Sequence, residues 1–460
     1  LNQLIAWRAL ALALPAVCSL MAPAAARAQA AEGVSFRLSG EVRVRAEWLD
    51  GQFRANRTGS DQGVFARTLI LGEADLGPVE FGVELQDSRA SLDDRGTPLT
   101  TSLVNPLDVL QAYVRFEAKD WAGLSTARLT VGRQTIGIGS QRVIERVDMA
   151  NVIFSYTGAY FQGRTPGGDE LYALAVVPTG REPADRSSLG RDALAADEEQ
   201  WGRRFYGLHY RHRVALGALL PDTWGEVFVY RLEESDRGGQ LTPRRRYWDP
   251  GFRLFRAPKA GQWDLDVEVL QRSGTRRSGT GPVGTRELSV DALRVHAGVG
   301  YTFDVPLRPR LRVDYDLASG DADSRDGTYA TFERLFGGRR TDFNNTGIYG
   351  PLTPTNISAF GARGEITLPA GDLRLTWKQA RLDSATDSWT VAGLRDASGA
   401  SGRDIGEAFD LRYRQWLRPD VLQLEVGGSA LLKGRFAEQA PGAPPPDDTV
   451  FLYASLTQRF

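Results

Sequence analysis

Cysteine is all but missing from this chain of 460 residues: the single one, Cys18, lies close to the N-terminus. Neither a disulfide framework nor a cysteine zinc site can be built from it. Histidine occurs three times and methionine twice. Lysine is scarce too, since only Lys119, Lys259, Lys378 and Lys433 interrupt the arginines among the 56 basic residues. No apolar run of ~20 residues follows the N-terminus, which excludes helical membrane spans, and mean hydropathy is −0.31. There is no Gly-X-Y period, and 10 Trp, 14 Tyr and 20 Phe are too many for a disordered chain. What the chain has is glycine, 50 residues, well above the usual ~7%, and nearly balanced charge, formally −1.

Residues 1–28 read as a signal peptide. Arg8 precedes the apolar stretch 9–20, and Ala26-Arg27-Ala28 places small residues at both positions that signal peptidase recognises. Pro15, Ser19 and Pro23 interrupt the segment too often for a membrane anchor. Pro15-Ala16-Val17 before Cys18 is unlike a lipoprotein box. The remainder, residues 29–460, then carries no cysteine, which suits an oxidising compartment. Loss of Arg8 and Arg27 takes its formal charge to −3.

From residue 36 the pattern has period two. Phe36, Leu38, Gly40, Val42, Val44, Ala46 and Trp48 alternate with Arg37, Ser39, Glu41, Arg43, Arg45 and Glu47, the signature of a strand that is wet on one side. The same alternation recurs at 79–86, 263–269, 293–301, 311–316, 373–378 and 409–414. Short turns at 76–78, 119–123, 164–168, 217–222, 256–261, 304–309, 369–372 and 417–420 alternate with long polar connections at 50–63, 89–105, 135–150, 179–200, 234–245, 274–287, 320–356, 384–406 and 433–448. Sorting of this kind is required of an up-and-down transmembrane barrel and not of a sandwich. The fold expected is all-β, one antiparallel barrel of about eighteen strands. Val450, Leu452, Ala454, Leu456 and Phe460 share one face of a last strand ending in Phe, like the recognition strand of outer-membrane proteins. Closing the sheet satisfies every backbone group in lipid without long apolar runs.

An arginine facing lipid near the midplane costs ~2–4 kcal/mol, so those on polar strand faces should point inward. By strand parity these include Arg43, Arg45, Arg115, Arg128, Arg294, Arg312, Arg363, Arg374, Arg412 and Arg414. A lumen so lined would conduct carboxylated solutes, because guanidinium is always charged and forks onto carboxylates. Asp264, Asp266, Glu268, Asp314 and Asp316 mix acids into the same walls, as porins commonly do.

Nothing points to catalysis or a cofactor. His209 and His212 fall on opposite faces of one strand and cannot chelate together. No phosphate loop, zinc spacing or dinucleotide fingerprint occurs. Asp321, Asp323 and Asp326 resemble a calcium loop, but Arg325 sits inside it and no Glu completes the spacing. A solvated outer loop is the plainer reading.

Several segments resemble the alginate export family of outer-membrane barrels. Val131-Gly132-Arg133-Gln134 is followed by Gly139-Ser140-Gln141-Arg142 and Asn151. Tyr315 and Ala318-Ser319-Gly320-Asp321 lead to Gly327-Thr328, Thr331-Phe332, Leu335-Phe336 and Asn356. Arg403-Asp404-Ile405-Gly406-Glu407 precedes Gly434, Phe436 and the last strand. The resemblance implies a monomeric barrel of eighteen strands in the bacterial outer membrane, passing an anionic uronate polysaccharide outward through an arginine constriction, with Arg133 and Arg142 as its contacts. Its implied partners are the polymer, outer-membrane lipid and lipopolysaccharide, and a periplasmic export partner, with no nucleic acid. Glu145 just after Arg142 would weaken anion selection. A general porin for small carboxylates or sugars, and a structural or adhesion barrel, are the other readings.

Overall fold

The computed structural model describes residues 33–214, 220–237, 241–280, 284–343 and 345–460; the signal segment expected at 1–28 lies outside them. Among the described residues, eighteen strands follow one another around a single sheet. They are β1 (Ser35–Asp50), β2 (Asp61–Asp75), β3 (Val79–Ser91), β4 (Asn105–Trp121), β5 (Leu124–Gln134), β6 (Tyr156–Arg164), β7 (Glu170–Gly180), β8 (Arg203–Val214) and β9 (Thr223–Glu234). The second half is β10 (Arg246–Arg256), β11 (Gln262–Arg277), β12 (Glu287–Thr302), β13 (Arg310–Ala318), β14 (Ile357–Leu368), β15 (Gly371–Arg381), β16 (Asp404–Arg418), β17 (Leu422–Lys433) and β18 (Thr449–Arg459). Each pairs antiparallel with its neighbours, and β1 closes on β18 from Glu41↔Arg459 to Asp50↔Val450. The three helices among the described residues are single turns: α1 (Arg186–Leu189), α2 (Arg340–Phe343) and α3 (Arg435–Gln439).

Short turns and long loops fall at opposite ends, as the alternation requires. The β4–β5 turn is tighter than expected: Trp121 pairs with Leu124, so only Ala122 and Gly123 connect the strands. Both have positive φ, 51° and 79°, which matches the twist of a two-residue hairpin. On β3, Phe81, Val83 and Leu85 are exposed while Glu84 and Gln86 are buried. The exposed face is the apolar one all round the wall, so these side chains meet hydrocarbon and the charged face turns inward. Near the short-turn end, Trp263, Tyr301 and Phe303 form an outward chain of edge-on ring contacts at 5.1 Å, an aromatic girdle at the membrane interface.

A barrel of this strand number encloses more space than its wall side chains fill. Two long connections, residues 135–155 and the described residues of 319–356, fold into it and contribute Ile136, Ile144, Phe336, Phe343, Ile348 and Tyr349 to the interior apolar cluster. The same cluster extends to Phe53, whose ring is tilted against Trp389 at 5.8 Å and meets Tyr349 edge-on at 6.1 Å.

Closure at the short-turn end depends on a glycine. Gly40 and Phe460 exchange both backbone hydrogen bonds, at 2.9 and 3.1 Å, and a Cβ on Gly40 would strike the Phe460 ring and the Leu69 carbonyl. Gly72 has open space where its Cβ would stand. Gly40→Leu is expected to destabilise the closed barrel by about 1–3 kcal/mol through overpacking, lowering the temperature at which its gel mobility shifts to the unfolded position. Gly72→Leu should leave that temperature in place; equal shifts in both would contradict the seam.

Candidate functional site

The two in-folded loops meet across the lumen. Ile144 bridges Phe336, the Gly338 amide donates to the Gln141 carbonyl at 3.0 Å, and the Glu145 amide to the Phe336 carbonyl at 3.2 Å. Gly337 and Gly338 permit this approach, since a Cβ on either would overlap the Arg142 carbonyl or the Glu145 carboxylate. At the junction Arg142 is buried among three acids, Asp342 at 2.8 Å, Asp266 at 3.0 Å and Glu268 at 3.4 Å. Arg294 donates to the Arg142 carbonyl at 2.8 Å and to Asp342 at 3.3 Å. Burial would raise the Asp342 carboxyl, but Arg142, His296 and Arg294 hold it well below the ordinary range. Pairing of this kind offsets the cost of burying these charges.

On the opposite side, β1 and β2 strap down the stretch 148–150. Arg43 donates to the carbonyls of Asp148 (2.8 Å) and Ala150 (2.7 Å), Arg67 to the same two at 2.8 Å, and Arg45 to the Met149 carbonyl at 2.6 Å. Arg45 is also paired with Glu47, and Arg67 with Glu41, both at 2.5 Å. Arg43 spends its guanidinium on neutral acceptors and has no carboxylate in contact among the described residues. Next to this strap lies a cavity of 460 Å³. Six arginines line it, Arg43, Arg67, Arg146, Arg340, Arg414 and Arg459, against the four acids Glu41, Glu84, Asp148 and Glu425.

A second basic stretch runs across β13–β16. Arg312 stands opposite Arg363, and Arg374 opposite Arg412. Arg363 donates to the Thr341 carbonyl at 2.7 Å, and Arg312 to His296 Nε2 at 2.7 Å. Arg412 and Arg414 share Asp372, at 2.5 and 2.7 Å. Arg374 has Glu365 as its other cross-strand neighbour, yet that carboxylate is taken by Arg310 at 2.6 Å. Buried Arg363 and Arg374 therefore carry charge with no ion-pair partner among the described residues.

Lower in the wall, Arg115 is paired with Glu80, and Arg128 with Glu117 at 2.8 Å. Arg133 is the exception among the expected lumen residues. It stands level with Ala112, whose other neighbour is the exposed Val83, so it occupies the outer face. There Glu199 holds it at 2.8 Å, and it does not join Arg142 at the junction. Sequence reasoning missed Arg67, Arg146, Arg340 and Asp342. Arg67 shares its inward face with Phe65 and Leu69, which blurs the alternation, and the other three lie in loops with no period to read.

His296, Asp316 and Asp342 bring ligand atoms within 4.8 Å of one another. Lys378 already lies on Asp316 at 2.7 Å, and Arg142 and Arg294 on Asp342. The protein's own cations fill the places a metal ion would take. His209 is buried between Glu226 and Tyr230, both at 3.1 Å, while the exposed His212 meets Asp169 at 2.7 Å; the two do not converge. In the Asp321 loop the acids accept from backbone amides, Asp323 N on Asp321 and Asp321 N on Asp387.

A closed barrel with an apolar exterior, a charged lumen and loops folded into it defines an outer-membrane channel of the porin kind. The family model for alginate export matches residues 34–451, and the chain belongs to that family: a channel of the bacterial outer membrane, not an enzyme. A search of the curated proteins finds no significant match. Among solved structures, Pseudomonas aeruginosa OccK2 (OpdF) in complex with glucuronate is similar with a TM-score of 0.57 at 12% identity, covering 92% of this chain and 98% of that one. P. aeruginosa OpdK with vanillate gives 0.57 at 10% identity, covering 92% and 98%. A BenF-like porin from Pseudomonas fluorescens Pf-5 gives 0.57 at 12% identity, covering 92% and 99%.

The placement of Arg133 is testable. Arg133→Glu should leave the ion selectivity of the reconstituted channel unchanged, because the side chain is outside the lumen. A shift in reversal potential equal to that of a lumen charge reversal would contradict the register.

Proposed function

We propose that this channel passes a carboxylated saccharide, an alginate-like uronate polymer, by diffusion along an arginine-bearing path. The observation that carries the reading is the pair Arg363 and Arg374, buried toward the lumen without carboxylate partners among the described residues in a wall that also holds Arg312, Arg412 and Arg414. An ion-paired arginine must exchange a partner to take a passing carboxylate, whereas an unpaired one gains by meeting it directly. Several weak contacts in sequence replace hydration without trapping the solute. A monomeric barrel fed by a periplasmic export partner is the arrangement this reading implies. A second reading, a porin for small carboxylates, is favoured by the two in-folded loops and the 460 Å³ cavity, a volume on the small-ligand scale of roughly 300–1,000 Å³. The glucuronate complex of the similar OccK2 barrel is in line with either.

In planar bilayers, glucuronate and oligouronates are expected to block the ion current and neutral oligosaccharides to leave it open. Arg363→Glu and Arg374→Glu should each raise the half-blocking concentration about tenfold or more, the scale of one charge-assisted hydrogen bond. Equal block by neutral sugars, untouched by either variant, would contradict the reading.

Acidity should tune the path. Burial, and next the neighbouring Asp148, push the Glu145 carboxyl up to about 7. Its negative charge at the loop junction is therefore present above that pH and lost below it. Glucuronate block should strengthen as pH falls through about 7, and Glu145→Gln should flatten the response. Asp197, also pushed up to about 7 by burial and then by Asp108, hydrogen-bonds Asn105 beside the outer Arg133 and should contribute nothing.

A further inference from the structure

Asp342 is held as a ligand would be. Arg142 grips it side-on, with Nε on Oδ2 at 2.8 Å and a terminal nitrogen on Oδ1 at 3.0 Å. Arg294 adds a third contact to Oδ2 at 3.3 Å, and His296 Nδ1 stands 3.7 Å from Oδ1. This two-pronged approach is the geometry arginine offers to any carboxylate. The carboxylate that fills it comes from α2, a single turn in a long loop, while Asp266 and Glu268 belong to the β11 wall. Take Asp342 away and Arg142 keeps the two wall acids, but Arg294 keeps none, since Asp342 is its one ion-pair partner among the described residues.

We propose that the Arg142–Arg294 pair is a binding site for the carboxylate of the transported saccharide, and that Asp342 is an internal competitor occupying it. The inference rests on the lumen being a path for carboxylated solutes. Exchange of one carboxylate for another conserves both the charge of the cluster and the number of ion pairs, so it avoids the penalty of a bare buried cation. A neutral sugar offers no such exchange and leaves Arg294 unpaired. Asp342 thereby raises the threshold for all solutes and raises it most for those without a carboxylate, which is selectivity by discrimination against the wrong partner. The other contacts of α2, Arg340 on Glu425 at 2.5 Å and the Thr341 carbonyl on Arg363, tie the competitor to the path arginines.

Two perturbations of opposite sign test this in planar bilayers with glucuronate as the probe. Asp342→Asn should lower the half-blocking concentration about tenfold, the effect of removing a competing charge-assisted contact. The double variant Ile144→Cys with Phe336→Cys joins the two bridged loops when oxidised and holds Asp342 in place. Its half-blocking concentration should rise on oxidation and return to the wild-type value on reduction, a readout that survives even if the Asn variant assembles poorly. Half-blocking concentrations within twofold of wild type in both folded variants, with the Arg374→Glu effect intact, would overturn the competitor alone. Absence of glucuronate block in the wild-type channel would overturn it together with the reading it rests on.

Discussion

Inside a bilayer no water is available to a backbone amide, so every N–H and C=O of the wall must find its partner within the sheet. Here that constraint is met by the return of β18 to β1, through ten paired positions and the Gly40–Phe460 exchange. Closure then dictates the rest of the wall. Side chains alternate between hydrocarbon and lumen, the apolar set goes out, and the charged set has nowhere to go but in. The absence of long apolar runs and the abundance of arginine follow from this one requirement.

Enclosing so much charge creates a second problem, because burying a guanidinium without partners is costly. Most of the lumen solves it locally, with Lys378 against Asp314 and Asp316, Arg253 against Asp266, and Arg272 against Asp249. The loop at 135–155 solves it at longer range by presenting carbonyls to Arg43, Arg45 and Arg67, and the loop at 319–356 by presenting Asp342. Arg363 receives only the Thr341 carbonyl from that loop and Arg374 receives neither kind of partner, so both are left without a carboxylate among the described residues. Chemically identical side chains thus differ in whether a carboxylate, a backbone carbonyl or neither already satisfies them.

The wall was legible in the sequence because its period of two survives in nearly every strand. Parity alone placed Arg43, Arg45, Arg294, Arg312, Arg363 and Arg374 inward, and the order of short and long connections matches the strand count. At Arg133 strand parity and the family motif disagree. Arg133 shares parity with Leu129 and Val131, both exposed apolar residues, so alternation itself puts it outside, and only its likeness to a family motif suggested the lumen. Arg142 shows the reverse, a loop residue without periodicity that the motif located. Asp342 and Arg340 were beyond both methods, since their importance comes from contacts with strands distant in sequence. The pairing state of each arginine, which separates scaffold from path, is likewise a tertiary property.

On the function proposed above, unpaired lumen arginines outweigh the acids along the path. The most direct measurement of this is the reversal potential of the purified channel across a potassium chloride gradient at neutral pH. The account predicts the sign of a chloride-preferring pore; a potassium-preferring potential would mean that the acids of β11 and β13 dominate, and would contradict it.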